Sequence, residues 1–295
     1  MSEAVAVVIP AYNAAPWLPA ALKSLRAQTQ PPREVVVVDD GSSDATPTIA
    51  AELGAKVVRQ LQRGPGAARN RGVRESSAPL VAFLDADDWF ANTKLEVQTR
   101  RLRELGADAI CSDAWLVDGD VEGAPKNRGR DVPETLNFET LLVSNPVICS
   151  TVVARRDALV RVGLFDEDPT LIATEDYDLW LRLAREQPLA YLAEPLACYR
   201  RHGVSLSANT RFLRGVERIL DKVELAGLAG DRQHALVRRR RAGVRLDLAW
   251  DLLEGRVDGG ATEARRLIAE ANRLSLSWKG FRLWLRSRLR PVAGR

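Results

Sequence analysis

Apolar residues in this chain gather in short closed runs that alternate with stretches of helical spacing. Val5–Pro10 (VAVVIP) is an apolar run ended by a proline and predicts a buried strand. Leu18, Ala21, Leu22 and Leu25 then recur at helical spacing, with Asn13 placed as a cap and Pro16 near the first turn. Val35–Val38 (VVVV) is apolar on both faces, the mark of a strand inside a parallel sheet. Gly41 supplies a turn after it, Ser42, Ser43 or Asp44 can cap a helix running through Leu53, and Gly54 stops that helix. A third strand (AKVVRQL, 55–61), a glycine-led loop entering a helix (GPGAARNRGVRES, 64–76) and a fourth strand (LVAFLD, 80–85) follow. A helix from Asn92 to about Leu105 leads to a fifth strand (ADAICSDA, 107–114). Strands alternating with helices at this pace predict a layered α/β fold with right-handed crossovers.

The pattern then changes. Asp118 to Pro133 carries glycine, proline and charge with little periodicity and reads as a flexible loop over the site. After it come a short helix near Phe138–Val143, a strand (STVVARR, 150–156) and a helix near Arg156–Val162. Residues 175–186 (EDYDLWLRLARE) predict a well-buried helix, because Leu179, Leu181 and Leu183 broaden its apolar face. LAYLAE (189–194) and LACYRRH (196–202) read as two further short strands. From about Arg211 the pattern is helical and basic throughout, with no internal repeat and no low-complexity tract.

Composition narrows the class. A chain of 295 residues, 46% apolar and 28% charged, suits one large α/β domain with an extension, or two domains. No window nears twenty uninterrupted apolar residues, so no spanning helix is expected, and the N-terminal run lacks the basic start and length of a signal peptide. Cys111, Cys149 and Cys198 are odd in number and scattered, and read as reduced, buried thiols of a cytosolic protein. The net charge of +4 is uneven: the first two hundred residues are near balance or acidic. RRRR stands at Arg238–Arg241, and from Arg273 onward there are seven Lys or Arg and no acid. That asymmetry points to a surface or polyanion partner for the tail and excludes a nucleic-acid reader along the whole chain.

Five constellations carry chemistry. Asp85 and Asp87, in FLDADDW, stand two apart where an apolar strand ends. In an extended segment both would face one side and could share a hard divalent cation with substrate phosphates; equally, they could cap a following helix. Asp39–Asp40 close the VVVV run, where open α/β sheets bind ligands, and there they could accept a base N–H or a ribose hydroxyl, or serve only as turn chemistry. Gly64 and Gly66 permit close backbone approach, and Arg69 behind them can meet a diphosphate or be a solvated basic residue. The dinucleotide fingerprint is rejected: Arg69 stands in place of its third glycine, and the stretch follows the third strand, not the first. Asp176 in TEDYDLW is either a favourable charge at a helix N-terminus or a general base. His202 in YRRHGVS is either structural or a neutral ligand completing a metal site.

Six stretches in order (VVIPAYN, VVVVDDGSSDAT, GPGAARNRG, FLDADDW, EDYDLWLRL and YRRHGVSLS) resemble the family 2 glycosyltransferases of GT-A fold over roughly residues 4 to 207. The resemblance implies a Rossmann-like mixed sheet flanked by helices over 1–207, followed by a helical, basic C-terminal extension over 208–295. It implies transfer of a sugar from a nucleotide-diphospho-sugar, a UDP-sugar by family tendency, to an acceptor hydroxyl with inversion, in surface polysaccharide, lipopolysaccharide or glycolipid assembly. It implies a divalent metal, Mn²⁺ or Mg²⁺. Carried over residue by residue, Pro10, Ala11, Tyr12, Asp39 and Asp40 lie at the base, Arg69 at the base and phosphate end, and Asp85 and Ala86 at the donor. Asp87, with Asp85 and His202, matches the metal position, and Asp176 matches the base.

The resemblance stops near 207. Trp278, Phe281, Trp284, Leu285 and Leu289 alternate with arginines in the tail, which suits a membrane interface as well as a basic helix packed on its own domain. The expectation is therefore a cytoplasmic enzyme, with peripheral contact at the inner face of a membrane and a glycan or lipid-linked acceptor. A nucleotidyltransferase of similar fold is the rival enzyme, but PAYNAAPWL stands where its glycine- and arginine-rich signature belongs. A non-catalytic sugar-nucleotide binder is the rival outside enzymes.

Overall fold

The valine-rich run at Glu34–Asp39 (β2) lies between Val5–Ala11 (β1) and Lys56–Arg59 (β3), parallel to both, and Val36, Val37 and Val38 have no exposed surface. Burial on both faces is what a continuous apolar run can satisfy. The computed structural model describes residues 3–119, 121–201, 210–257 and 260–289. Two compact units emerge. The first covers Met1–Leu141, Asn145–Glu167 and Glu175–Gly203; the second covers Leu142–Ser144, Asp168–Thr174 and Val204–Arg295.

In the first unit, helices α1 (Leu18–Arg26), α2 (Thr46–Glu52) and α3 (Pro65–Glu75) connect β1, β2, β3 and β4 (Leu80–Phe83). β4 returns to pair in parallel with β1, so β1, β2 and β4 all end at one edge. The sheet continues through Trp89–Phe90 (β5), α4 (Lys94–Leu105), Ala109–Asp118 (β6), Val121–Pro125 (β7) and Thr135–Leu136 (β8). Then come α5 (Phe138–Val143), Val153–Arg155 (β9), α6 (Arg156–Arg161), α7 (Glu175–Glu186) and Leu189–Arg201 (β10). Strand order is β3-β2-β1-β4-β9-β6-β10-β5, with β7 beside β6 and β8 beside β10. β9 runs antiparallel to both β4 and β6, which makes the sheet mixed. Its core joins Ile9, Leu18, Leu22, Leu25, Val37, Leu80, Leu95 and Leu102.

Several local expectations change. Asn13 does not cap α1, whose first turn holds Pro19 behind Trp17. It sits in the left-handed region (φ 48°) and clasps the loop after β2: its N–H donates to Ser42 Oγ, and its side-chain oxygen accepts from Ser43 N. The Asp118–Pro133 stretch is not an open loop. β7 pairs back on β6, and Asn127 is buried with its amide on the Asp113 carboxylate and the Tyr191 hydroxyl. The two short strands predicted from 189 onward are one strand, β10, which keeps its parallel pairing with β6 by shifting register around Pro195. A proline without an N–H interrupts a ladder but need not end it. Among the described residues the three cysteines form no disulfide and are buried, and burial pushes the Cys111 thiol up to about 12.

The second unit is helical in its described part: α8 (Thr210–Leu225), α9 (Gly230–Glu254), α10 (Gly260–Leu274) and α11 (Trp278–Leu289). Ala242, Leu246, Ala249 and Leu253 form one stripe of α9 and pack on Ala264, Leu267, Ile268 and Ala271 of α10 and on Leu283 of α11. Part of the RRRR block is internal: Arg241 pairs with Glu217, Asp221 at 2.7 Å and Glu224 at 2.8 Å. No described helix is long and apolar enough to cross a membrane.

Gly72 lets α3 lie close on β1, because a Cβ there would fall 2.3 Å from Val8 Cγ1, inside the core. Gly72→Ala is expected to lower unfolding stability by about 1–3 kcal/mol through overpacking. Urea denaturation checks it; an unchanged midpoint would show that the helix has room to lift.

Candidate active site

Because β1, β2 and β4 run parallel, the residues that follow them share an edge: Tyr12 after β1, Asp39–Asp40 at the end of β2, and Asp85 after β4. Tyr12 is 49% exposed and offers a ring at that edge, next to Pro10 and the buried Ala11. The two acids of β2 each serve a loop. Asp39 accepts from Ser42 N and from Arg59 Nε at 2.9 Å. Asp40 accepts from Gln60 Nε2, Arg63 N and Gly64 N at 2.7–2.9 Å, which fixes the glycine-led turn into α3.

Beyond β4 the backbone turns instead of continuing extended. Asp88 N donates to Asp85 O at 3.1 Å, so Asp85–Asp88 is a turn, and the alternation of a strand does not govern where Asp85 and Asp87 point. Nor does the turn cap a helix: β5 intervenes, and α4 starts only after Thr93. Ser150 Oγ secures the turn by donating to Asp88 Oδ2 at 2.5 Å while accepting from Asp85 N at 3.0 Å. Arg200 N of β10 donates to Asp88 Oδ1 at 2.9 Å. Burial, reinforced by the Asp87 and Asp85 charges, raises the Asp88 carboxyl well above the ordinary range. Asp85 and Asp87 are half-buried, and Ala86 between them is buried.

Arg69 joins this turn to α7. Its side chain is only 6% exposed, and its two terminal nitrogens donate to Asp85 Oδ1 and to Glu175 Oε1, each at 2.6 Å. The guanidinium also lies over the Phe165 ring, 5.4 Å from its centre. Phe165 packs edge-on against Phe83 and Trp180 behind it, and Phe83 meets Trp180 at a tilt, with centroids 5.2–6.3 Å apart. The side chain expected to reach out to a diphosphate is therefore a strut between two elements. Gly66 makes the approach possible, since a Cβ there would meet Glu175 Cγ at 3.3 Å. Glu175 was invisible as a partner in the sequence: it is 106 residues from Arg69, and only its place beside Asp176 marked it.

Asp176, in the first turn of α7, accepts from Tyr177 N at 2.7 Å. Burial, helped by the neighbouring Glu175 charge and opposed by Arg69, pushes its carboxyl up to about 6. Two residues unmarked in the sequence border the same charges. Burial pushes the Tyr199 phenol up, aided by Asp88, Asp85, Asp87 and Asp176. Burial lowers the Lys126 ammonium against the pull of Asp176, Asp113 and Asp88. His202 lies outside the described residues. Asp85, Asp87, Asp88, Arg69 and Asp176 thus share one electrostatic neighbourhood, while Asp39 and Asp40 stand further along the same edge.

Three acids in one turn, two of them half-buried and raising the third, fit a hard divalent ion, which takes one or two carboxylates and completes its shell with phosphate and water. Among the described residues no group of three or more His, Cys, Asp or Glu side chains is placed to hold a metal ion by itself, so an ion here would rest on one or two carboxylates together with phosphate and water.

The sequence model of glycosyl transferase family 2 matches residues 6–163. The chain belongs to that family. It is a glycosyltransferase, and its mixed sheet is the GT-A fold. It is 30% identical over 212 residues, 70% of its own length and 82% of the relative's, to TuaG of Bacillus subtilis, assigned to teichuronic acid biosynthesis as a glycosyltransferase. In structure it is similar to TarS of S. aureus, solved with UDP-GlcNAc: TM-score 0.65, 19% identity, 96% of this chain and 89% of that one. It is also similar to the mannosyltransferase PcManGT of Pyrobaculum calidifontis, solved with GDP-Man and Mn²⁺: TM-score 0.63, 19% identity, 98% of this chain and 85% of that one.

Replacing Arg69 of this glycosyltransferase by methionine would leave the Glu175 carboxylate buried without its cation. The expected loss is about 3–5 kcal/mol of stability, against little change for Arg71→Met, whose ion pair with Glu75 is exposed. Thermal and urea unfolding of both variants check this; equal small losses would mean that Arg69 is not a strut.

Proposed function

We propose that this glycosyltransferase moves a sugar from a UDP-sugar to a hydroxyl of a glycan or lipid-linked acceptor, with inversion, in the assembly of a bacterial surface polysaccharide, lipopolysaccharide or glycolipid. The observation that carries the mechanism is the Arg69 bridge, which brings the acid turn and the first turn of α7 together. The association of TuaG with teichuronic acid biosynthesis and of TarS with UDP-GlcNAc supports the acceptor and donor classes.

Asp176 acts as the general base. A carboxyl held near 6 is ionised at neutral pH yet more basic than an exposed aspartate, which suits it to accept a hydroxyl proton as the bond to the anomeric carbon forms. The bond from that carbon to the diphosphate oxygen breaks on the opposite face, and the nucleoside diphosphate leaves with the electron pair. Asp87, with Asp85, would hold a divalent ion, Mn²⁺ or Mg²⁺, and His202 stands as a further candidate ligand; the ion would supply charge neutralisation at the leaving diphosphate. PcManGT, solved with Mn²⁺, supports this. Tyr12 and Pro10–Ala11 form the rim for the base. Asp39 and Asp40 act on the donor by holding the loops at that rim, and Arg69 acts as a positioning residue. The nucleotidyltransferase alternative gives way to the family assignment.

Asp176→Asn is expected to cut transfer by about 10²–10⁴-fold while retaining donor binding in a radiolabelled-sugar and calorimetry pair. The same variant should melt at an equal or higher temperature. The folded-state pKa lies above the unfolded one, so stability falls as pH rises from about 4 to about 6 and the ionised group destabilises the fold above that. Since the base must be unprotonated, kcat/KM should rise with pH through about 6; a profile flat across that region would remove Asp176 from the role. Asp87→Ala should abolish the dependence of UDP-sugar affinity on Mn²⁺ in calorimetry, and a retained dependence would take the ion away from Asp87.

A further inference from the structure

Helix α11 has two faces that carry apolar residues, and among the described residues one is packed and the other is largely exposed. Gly280, Leu283 and Ser287 form the inner face. Leu283 and Ser287 are buried, and a Cβ at Gly280 would fall 2.3 Å from Asn272 Oδ1 of α10. Trp278, Phe281 and Leu285 repeat the same spacing on the other side and are 73%, 46% and 42% exposed. Their rings are ordered: Trp278 stacks on Phe281 at 5.5 Å and 27°, and Phe281 on Trp284 at 6.3 Å and 19°. Leu276, 86% exposed, extends the patch, which borders an open groove of about 580 Å³. So dense a strip of exposed large apolar side chains marks an interaction surface.

Charge decides what it meets. From Arg273 onward the chain has seven Lys or Arg and no acid. Lys279 and Arg286 are tied to Asp247 and Glu254. Arg273 and Arg282 are exposed and make no ion pair among the described residues. A second copy of the chain would bring the same cationic face against itself, which like charges oppose. A single-stranded nucleic acid would need rings open to bases, whereas these rings are stacked on one another. An anionic bilayer surface matches both features: rigid aromatic rings settle at the headgroup level, and arginines meet lipid phosphates.

We propose that α11 docks this protein on an anionic phospholipid surface, with Trp278, Phe281 and Leu285 entering the headgroup region and Arg273 and Arg282 on the phosphates. The inference is independent of the transfer mechanism, because it is read by binding and not by catalysis.

The test is flotation of the full chain with phosphatidylcholine vesicles, with and without phosphatidylglycerol. Binding is expected only to the phosphatidylglycerol vesicles, weakening as salt rises. A variant carrying Trp278→Ala, Phe281→Ala and Leu285→Ala should bind at least roughly tenfold more weakly, and so should Arg282→Glu. Both should keep the melting temperature of the parent, since the replaced side chains are exposed. No binding by the parent, binding indifferent to lipid charge, or equal binding by parent and variants would each overturn the proposal. So would a dimer or an RNA complex that forms without vesicles and is lost in the triple variant, for then another occupant covers the strip.

Discussion

A guanidinium closed off from water between two carboxylates is the constraint on which the site depends. Arg69 lies on α3, Asp85 on the turn after β4, and Glu175 at the start of α7; the sequence places them far apart, and the ion pairs leave each little freedom. Separating a buried pair strands a charge at several kcal/mol. Conformations in which α7 drifts from the acid turn are therefore strongly disfavoured. The aromatic trio of Phe83, Phe165 and Trp180 keeps the pair dry, and dryness is what makes the geometry strict. Among the described residues neither Arg69 Nε nor Glu175 Oε2 has a hydrogen-bond partner, so the bridge holds through its two terminal contacts.

Sheet topology then decides what that geometry can do. Parallel strands bring Tyr12, Asp40 and Asp85 to one edge, because each strand delivers its next residue in the same direction. The antiparallel β9 and the bulged β10 bring Ser150 and Arg200 N to Asp88 from beyond β4. The deepest acid of the turn is thereby anchored by two donors, while Asp85 and Asp87 stay nearer the surface. Crowding three acids would be merely destabilising without a cation. Arg69 supplies a cation to Asp85, while burial and the two neighbouring charges hold Asp88 towards its neutral form.

Most strands were legible in the sequence because their burial is continuous and their ends are marked: VVVV and LVAFLD could hardly be anything else. Asp85, Asp87 and Asp176 were legible for the same reason, being charges set where apolar runs stop or begin. What stayed hidden is non-local. Nothing near Glu175 or Ser150 names its partner, and those contacts span 106 and 62 residues. β7 was hidden because glycine and proline mask a short hairpin, and the continuity of β10 because Pro195 resembles an end. The turn at Asp85–Asp88 defeated the alternation argument, although the charges of Asp85 and Asp87 both act on Asp88.

The doubled acid at Asp39–Asp40 raises the question of why a strand should end in two carboxylates when one makes a turn. The hydrogen bonds answer it. Asp39 closes the turn to Ser42 and holds Arg59, whereas Asp40 gathers the N–H groups of Arg63 and Gly64, which begin another loop altogether. Alternation along β2 points the two side chains in opposite directions, so each serves a different neighbour. The glycine-led loop fixed by Asp40 opens α3, and α3 carries Arg69. A carboxylate at the shared strand edge is thus coupled through one short helix to the bridge beneath the acid turn, and both are set by one connected stretch of backbone.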